Sequence, residues 1–261
     1  MNDTATLEMQ LRMLHLPSML REYEDFAQKA RKNNWGHEKY LKSLSDIEVQ
    51  DRNTRRIERN LRRSNLPDGK TMATFDMNRL PQNVRQQIPV LLDGNFVQKA
   101  ENVLCFGLPG RGKSHLLCAI AHELIVHKGY EILFTSTFSL VQKLLKAKQE
   151  LMIEQMLKKL DRFDVVLLDD IGYVQQTREE MEILFTFLAE RYERKCIMIT
   201  SNLVFSEWDK IFKDPMTTAA AVDRLVHHST IIELAEIDSY RTAQAHKNQI
   251  KRRQKKSKMN G

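Results

Sequence analysis

The sequence has no apolar run near the roughly 18 residues that a membrane span requires. Its opening Met1-Asn2-Asp3-Thr4 has neither the basic nor the apolar stretch of a secretory signal. A membrane partner is therefore not expected, and the cytoplasm is the expected location. Cysteine is scarce: Cys105, Cys118 and Cys196 are odd in number, far apart and set in apolar segments. That pattern suits small core residues and excludes a disulfide frame or zinc site. No internal repeat is present, and residues 1 to about 66 carry no strand signal. The tail from Lys247 to Lys258 contains no acid.

What is present begins with enough apolar residues for a real core, 42% of 261. Helical periodicity over Leu7 to Leu16, Met19 to Arg31 and His37 to Arg63 is interrupted at Pro17 and at Asn33-Asn34-Trp35-Gly36. This predicts a small helical domain over residues 1–68, with Tyr23, Phe26, Trp35 and Tyr40 in its core beside Leu20, Ala27, Ala30, Leu41 and Leu44. Leu66-Pro67-Asp68-Gly69-Lys70 reads as the linking turn. Thr74 to Phe96 reads as interrupted helix. The β-branched and aliphatic runs Asn102 to Phe106, Tyr130 to Ser136, Asp164 to Leu168, Cys196 to Ser201 and Thr230 to Leu234 alternate with helical segments. That alternation predicts an α/β core over residues 69–245, with a parallel five-stranded sheet between helices. Residues 246–261 are too polar and charged to pack and read as a disordered tail.

The most specific motif is Gly107-Leu108-Pro109-Gly110-Arg111-Gly112-Lys113-Ser114, a complete phosphate-binding loop between a strand and the helical run Lys113 to His127. Its glycines let backbone N–H groups face phosphates, Lys113 reaches the β and γ phosphates, and the Ser114 hydroxyl ligates Mg²⁺. Pro109, Gly110, Arg111 and His115 complete the candidate nucleotide contacts. Val165 to Asp170 is a buried strand ending in two carboxylates, an arrangement that is costly unless a cation or a proton transfer uses them. It reads as a Walker B element: Asp169 holds the metal's water shell, and Asp170 orients or deprotonates the attacking water. The strand Cys196 to Ser201 ends at Asn202, a candidate γ-phosphate sensor, although Ser-Asn after a strand also makes a plain turn. Met216 to His228 reads as a helix carrying Asp223-Arg224-Leu225. Arg224 is a candidate arginine finger for a neighbouring subunit's γ-phosphate. The same spacing suits a surface Asp223–Arg224 pair.

Charge is unevenly placed. The seven basic residues of the tail equal the whole formal charge of +7, so the remainder is near neutral. A second basic element spans residues 52–63, where Arg52, Arg55, Arg56, Arg59 and Arg63 recur at helical spacing. One such stripe alone is ordinary solvated surface. Two acid-poor clusters on a nucleotide-binding chain point to a polyanion, with these arginines as candidate DNA contacts.

Taken in order, these elements resemble the AAA+ ATPases, and within them the helicase-loader branch of DnaC, DnaI and the IstB-like transposition helpers. The IstB-like proteins are the most similar. The resemblance spans nearly the whole chain. It rests on Leu14-His15-Leu16-Pro17-Ser18-Met19, the arginine-rich helix, Thr74-Phe75-Asp76, Gly112-Lys113-Ser114-His115-Leu116, Leu168-Asp169-Asp170-Ile171-Gly172-Tyr173, Thr200-Ser201-Asn202-Leu203 and Asp223-Arg224-Leu225. It implies ATP as the nucleotide, ATP hydrolysis, a homo-oligomer assembled on duplex DNA that is bent or wrapped, and a transposase as partner. It also implies Asn202 as sensor 1, Arg224 as the finger, and Arg241 as a sensor 2 arginine. The alternatives are a replicative helicase loader of DnaC or DnaI type, a small-molecule P-loop kinase, and a DNA-architectural module that binds ATP without hydrolysing it. One departure stands out: the second Walker B acid is Asp170, where many AAA+ enzymes have Glu. Its shorter arm is expected to slow hydrolysis and prolong the ATP-bound state.

Overall fold

Five short runs that place side chains alternately on two apolar faces, with helical stretches between successive runs, lay down the architecture. A computed structural model describes residues 3–173, 177–208, 211 and 215–234. Strands β1 (Asn102–Phe106), β2 (Ile132–Ser136), β3 (Val165–Asp169), β4 (Cys196–Ser201) and β5 (Ser229–Glu233) form one sheet in the order β2-β3-β4-β1-β5. All pairings are parallel. The expected sheet is present, with β2 starting at Ile132 instead of Tyr130 and β3 running on to Asp169.

Alternation divides the core in two. Val103, Cys105, Val165, Leu167, Cys196 and Met198 share one cluster with α4 (Gln82–Asp93) and α6 (Lys113–Glu123). Leu104, Phe106, Val166, Leu168, Ile197 and Ile199 share the other with α7 (Thr137–Gln149), α9 (Arg178–Arg191) and α10 (Pro215–Val226). Between α4 and β1 lies the short α5 (Asn95–Gln98), and between α7 and β3 lies α8 (Ile153–Leu160). The helix expected to continue to His127 stops at Glu123 and passes into a π turn, Leu124–Lys128. Leu124 and Ile125 are both fully buried there, and Gly129 closes the turn in the left-handed region (φ 75°). Cys105, Cys118 and Cys196 are free and fully buried, as their apolar setting requires. Burial pushes the Cys105 and Cys118 thiols up to about 12.

The chain divides into two compact units between Arg59 and Asn60. The first comprises α1 (Asp3–Met13), α2 (Pro17–Lys32) and most of α3 (His37–Ser64). Phe26 and Trp35 meet edge-on at 6.5 Å, and the Tyr40 hydroxyl donates to Tyr23 O at 3.2 Å. These aromatics are half-buried and Leu44 is buried, whereas Leu41, expected beside them, is 61% exposed. Much of the unit's buried interior is polar: Glu48 Oε2 accepts from Ser18 N at 2.8 Å and Met19 N at 3.2 Å, satisfying free N–H groups at the start of α2. The last residues of α3, from Asn60 on, belong to the second unit, within which Asn60 Nδ2 donates to Gly129 O at 3.2 Å.

Candidate nucleotide site

The phosphate loop leaves the end of β1 and closes on the start of α6. Gly112 sits at φ 94°, a conformation that costs an L-residue, and a Cβ there would lie 3.5 Å from the Phe75 ring. Gly112 is also the residue that starts α6, so the helix opens directly at Lys113 and Ser114. Lys113 Nζ donates to Gly107 O (2.6 Å) and Leu108 O (3.1 Å), which holds the ammonium over the loop. Pro109, Gly110, Arg111, Gly112, Lys113, Ser114 and His115 line a cleft of about 550 Å³ together with Asp169, Asp170 and Asn202. Gly107 contributes its carbonyl to Lys113 and does not line the cleft.

Strand alternation explains why the acids arrive there. On β3, Asp169 follows Val165 and Leu167 on the face covered by α6, and on β4 Thr200 follows Cys196 and Met198. Thr200 Oγ1 donates to Asp169 Oδ1 at 2.7 Å, and Asp170 N donates to Thr200 Oγ1 at 2.8 Å. Asp170 is in the left-handed region (φ 60°), uncommon for a residue with a side chain. Its Oδ1 is buried with no hydrogen-bond partner, and so is Asn202 Oδ1. Burial, followed by the nearby Asp169 charge, raises the Asp170 carboxyl above its ordinary range, and Lys113 opposes the rise. Gly172 leaves room for the Asn202 carboxamide, since a Cβ on it would fall 2.2 Å from Asn202 Oδ1.

A lysine and hydroxyl at a helix start, facing the Asp169 carboxylate and the unpartnered buried Oδ1 atoms of Asp170 and Asn202, fits a triphosphate with a divalent cation. Ser114 and Asp169 are the residues that would hold the cation. Thr200 also lines the cleft, and an opposite wall not assigned to the site from the sequence, Lys70, Thr74, Phe75, Asp76, Arg79 and Leu80, completes it. His115 Nε2 lies 3.0 Å from Thr74 Oγ1, and its ring meets Phe75 edge-on at 5.2 Å. Burial lowers the His115 pKa, so the ring is neutral at pH 7. The apolar residues Phe75 and Leu80 offer a surface for a base, which the sequence signalled only through the segment Thr74-Phe75-Asp76.

The cleft does not include Arg224. It lies on α10, its guanidinium 4.7 Å from the Phe185 ring centre, and its Nη1 is buried without a hydrogen-bond partner. Among the described residues no Asp223–Arg224 ion pair forms, so the surface-pair alternative has no support. Arg241 and the basic tail lie outside the described residues.

The five arginines expected to meet DNA differ in their surroundings. Within the first unit, Arg52 donates to Glu48 Oε1 (2.8 Å) and His15 O (2.6 Å). Burial works to raise Glu48, but the bonds from Arg52, Met19 and Ser18 outweigh it and hold the carboxyl below its ordinary range. Arg55 Nη2 lies 3.6 Å from Asp51 Oδ2. Arg63, in the second unit, pairs with Glu131 at 3.2 Å and lies over Phe163. Arg56 and Arg59 are exposed and have no ion pair among the described residues.

Comparison with known proteins agrees with this geometry. A family profile described as IstB-like ATP binding protein matches residues 9–248. The chain is 43% identical over 244 residues to a protein of Sinorhizobium fredii (strain NBRC 101917 / NGR234) whose name, y4iQ/y4nD/y4sD, is given as an insertion sequence ATP-binding protein; the match covers 93% of this chain and 81% of that one. It is 36% identical over 228 residues to a protein named for ATP binding in insertion sequence IS5376 of Geobacillus stearothermophilus, covering 87% and 90%. Among solved structures, the DnaC helicase loader superposes with a TM-score of 0.55 at 17% identity, over 66% of this chain and 98% of that one. That likeness establishes the AAA+ P-loop fold.

Proposed function

The chain belongs to the IstB-like ATP-binding protein family, and from that premise we propose that it hydrolyses ATP with Mg²⁺, oligomerises on duplex DNA and helps a transposase to select or engage its target. The observation that carries the hydrolytic part is the meeting of Lys113 and Ser114 with Asp169, Asp170 and Asn202 in one cleft, where Asp170 Oδ1 and Asn202 Oδ1 are buried and unpaired. The transposition part rests on the insertion-sequence names of its relatives.

In this reading Lys113 and the loop amides bind the phosphates and offset their charge. Ser114 and Asp169 hold the cation, which supplies charge neutralisation when bound. Asp170 accepts a proton from, or orients, the attacking water, and Asn202 fixes that water against the γ-phosphate. The short Asp170 arm makes this a slow step and prolongs the DNA-committed state. Arg224 acts across a subunit boundary, so that a neighbour completes each site. Arg56 and Arg59 contact phosphates first. Arg52, Arg55 and Arg63 join by giving up their present partners, and the basic tail adds further charge. Residues 1–68 serve DNA, neighbouring subunits or the partner protein, and residues 69–245 form the motor. The protein works in the cytoplasm, on DNA and away from membranes.

Steady-state ATP hydrolysis with and without non-specific duplex DNA, alongside particle size with a non-hydrolysable ATP analogue, tests the whole. DNA-stimulated turnover, with large assemblies only when analogue and DNA are both present, is the expected result. Turnover indifferent to DNA, in a protein that stays small, overturns the transposition-helper reading. Mixing Arg224→Ala with Lys113→Ala subunits tests the shared site, because each supplies what the other lacks; no recovery of activity removes Arg224 as a finger in trans.

A further inference from the structure

We propose that Thr200 is a positioning residue for hydrolysis: its single hydroxyl orients the metal-holding carboxylate of Asp169 and fixes the backbone that aims Asp170. This inference rests on the ATP-hydrolysing reading of the cleft.

Thr200 is 1% exposed on the central strand β4, directly beside the end of β3. A hydroxyl has one proton to give and lone pairs to receive. Thr200 gives that proton to Asp169 Oδ1 at 2.7 Å and receives the Asp170 N–H at 2.8 Å. The first bond commits one oxygen of Asp169 and sets the plane of the carboxylate, which leaves Oδ2 for the cation's water shell. The second bond holds the peptide that introduces Asp170 at φ 60°, a left-handed conformation that costs a residue with a side chain. Both acids are therefore referenced to one atom, and that atom belongs to the strand that also delivers Asn202. Two residues beyond Asp170, Gly172 makes the close approach to the Asn202 carboxamide. The end of β4 thus grips the Walker B exit from both sides, with Thr200 at the backbone and Asn202 at the glycine. A carboxylate turned by a few tenths of an ångström would misplace the cation without weakening the loop's hold on phosphate. The Thr200 hydroxyl accordingly governs the Mg²⁺-dependent part of binding and the rate, and leaves metal-free nucleotide affinity alone.

The test compares Thr200→Val, which removes the hydroxyl at nearly constant volume, with Thr200→Ser, which restores it. Affinity for a fluorescent ATP analogue is measured in Mg²⁺ and in EDTA, together with turnover and the melting midpoint. Thr200→Val is expected to lose about tenfold of the Mg²⁺-dependent gain in affinity and roughly 10- to 100-fold in turnover, as outer-shell losses around metal ligands do. Its affinity in EDTA should stay within about twofold, and Thr200→Ser should return within about threefold of the parent in every readout. If Thr200→Val does not fold, Thr200→Ser against Thr200→Ala carries the same comparison. A wild-type Mg²⁺ gain and rate in Thr200→Val overturn the inference, as does a serine variant as impaired as the valine, because the contribution is then packing. A parent protein that gains no affinity from Mg²⁺ and does not turn over ATP overturns the nucleotide reading itself. Loss confined to the variants cannot be mistaken for that outcome.

Discussion

At the edge where the strands begin, Arg191 is 1% exposed and donates to the carbonyls of Leu160, Phe163, Asp164 and Cys196 at 3.0–3.2 Å. Burial lowers its pKa to about 10, which still leaves it charged. Beside it Asn102 accepts from Ile197 N and donates to Leu225 O, and Asp164 Oδ2 accepts from Glu131 N. At the opposite edge, where the strands end, the Oδ1 atoms of Asp170 and Asn202 are also buried and have no partner. Both edges bury polar groups, so burial does not separate structure from chemistry. Saturation does. At the first edge Arg191 leaves its Nε unpaired but commits both other nitrogens to carbonyls, and that network gains stability; the second edge holds two acceptors, Asp170 Oδ1 and Asn202 Oδ1, in reserve, at a cost in stability, for something that is not protein.

This contrast is sharpened most by Asp170→Asn. Turnover should fall by roughly 10²- to 10⁴-fold while ATP affinity persists, and the melting midpoint should equal or exceed that of the parent. The sign follows from the raised Asp170 pKa. The group causes no penalty below its unfolded pKa. Stability is lost as pH rises from there through the folded pKa, and the neutral amide escapes that loss. A lower midpoint in calorimetry would break the contrast. Next in size, Arg191→Met should cost about 3–5 kcal/mol by stranding buried carbonyls and lower the midpoint by about 10 °C. ATP affinity of the remaining folded protein should be unchanged; a selective loss of affinity would give the first edge a functional role. Gly172→Ala should reduce turnover by roughly 10- to 100-fold, because the added methyl displaces the Asn202 carboxamide, with little change in affinity. Equal loss of affinity and rate would show a general collapse of the cleft. The smallest effect is in the pH–rate profile, whose acid limb should lie above the ordinary carboxylate value of about 4 and rise with pH as Asp170 ionises. An acid limb unaltered in Asp170→Asn would assign it to another group.

The sequence made the sheet legible because each strand is a short β-branched or aliphatic run and helical stretches alternate with these runs, and the phosphate loop because its spacing is dictated by backbone curvature. Asp169 could be read from the same pattern, since a carboxylate at the end of a buried strand has few other uses. Thr200 could not. Its role depends on the register that puts it beside Asp169, and register is a property of two strands. The wall was only partly legible: Thr74-Phe75-Asp76 stood out in the family resemblance, but nothing in the spacing of a segment about thirty residues upstream showed that it, with Leu80, faces the phosphate loop. The arginine stripe showed the opposite limit: periodicity correctly placed the residues on a helix, but one-dimensional charge does not tell that Arg52 is bound to Glu48 while Arg56 is exposed.

The three sealed thiols have a practical consequence. With Cys105, Cys118 and Cys196 fully buried and their protonated forms favoured, the intact fold presents no thiolate at neutral pH, and alkylating reagents find nothing to attack. Each thiol therefore reports its own exposure as a clock: the rate at which it is labelled measures how often the surrounding core opens. A single cysteine placed at the 56% exposed Phe138 would be labelled against a dark background, without first removing the native three.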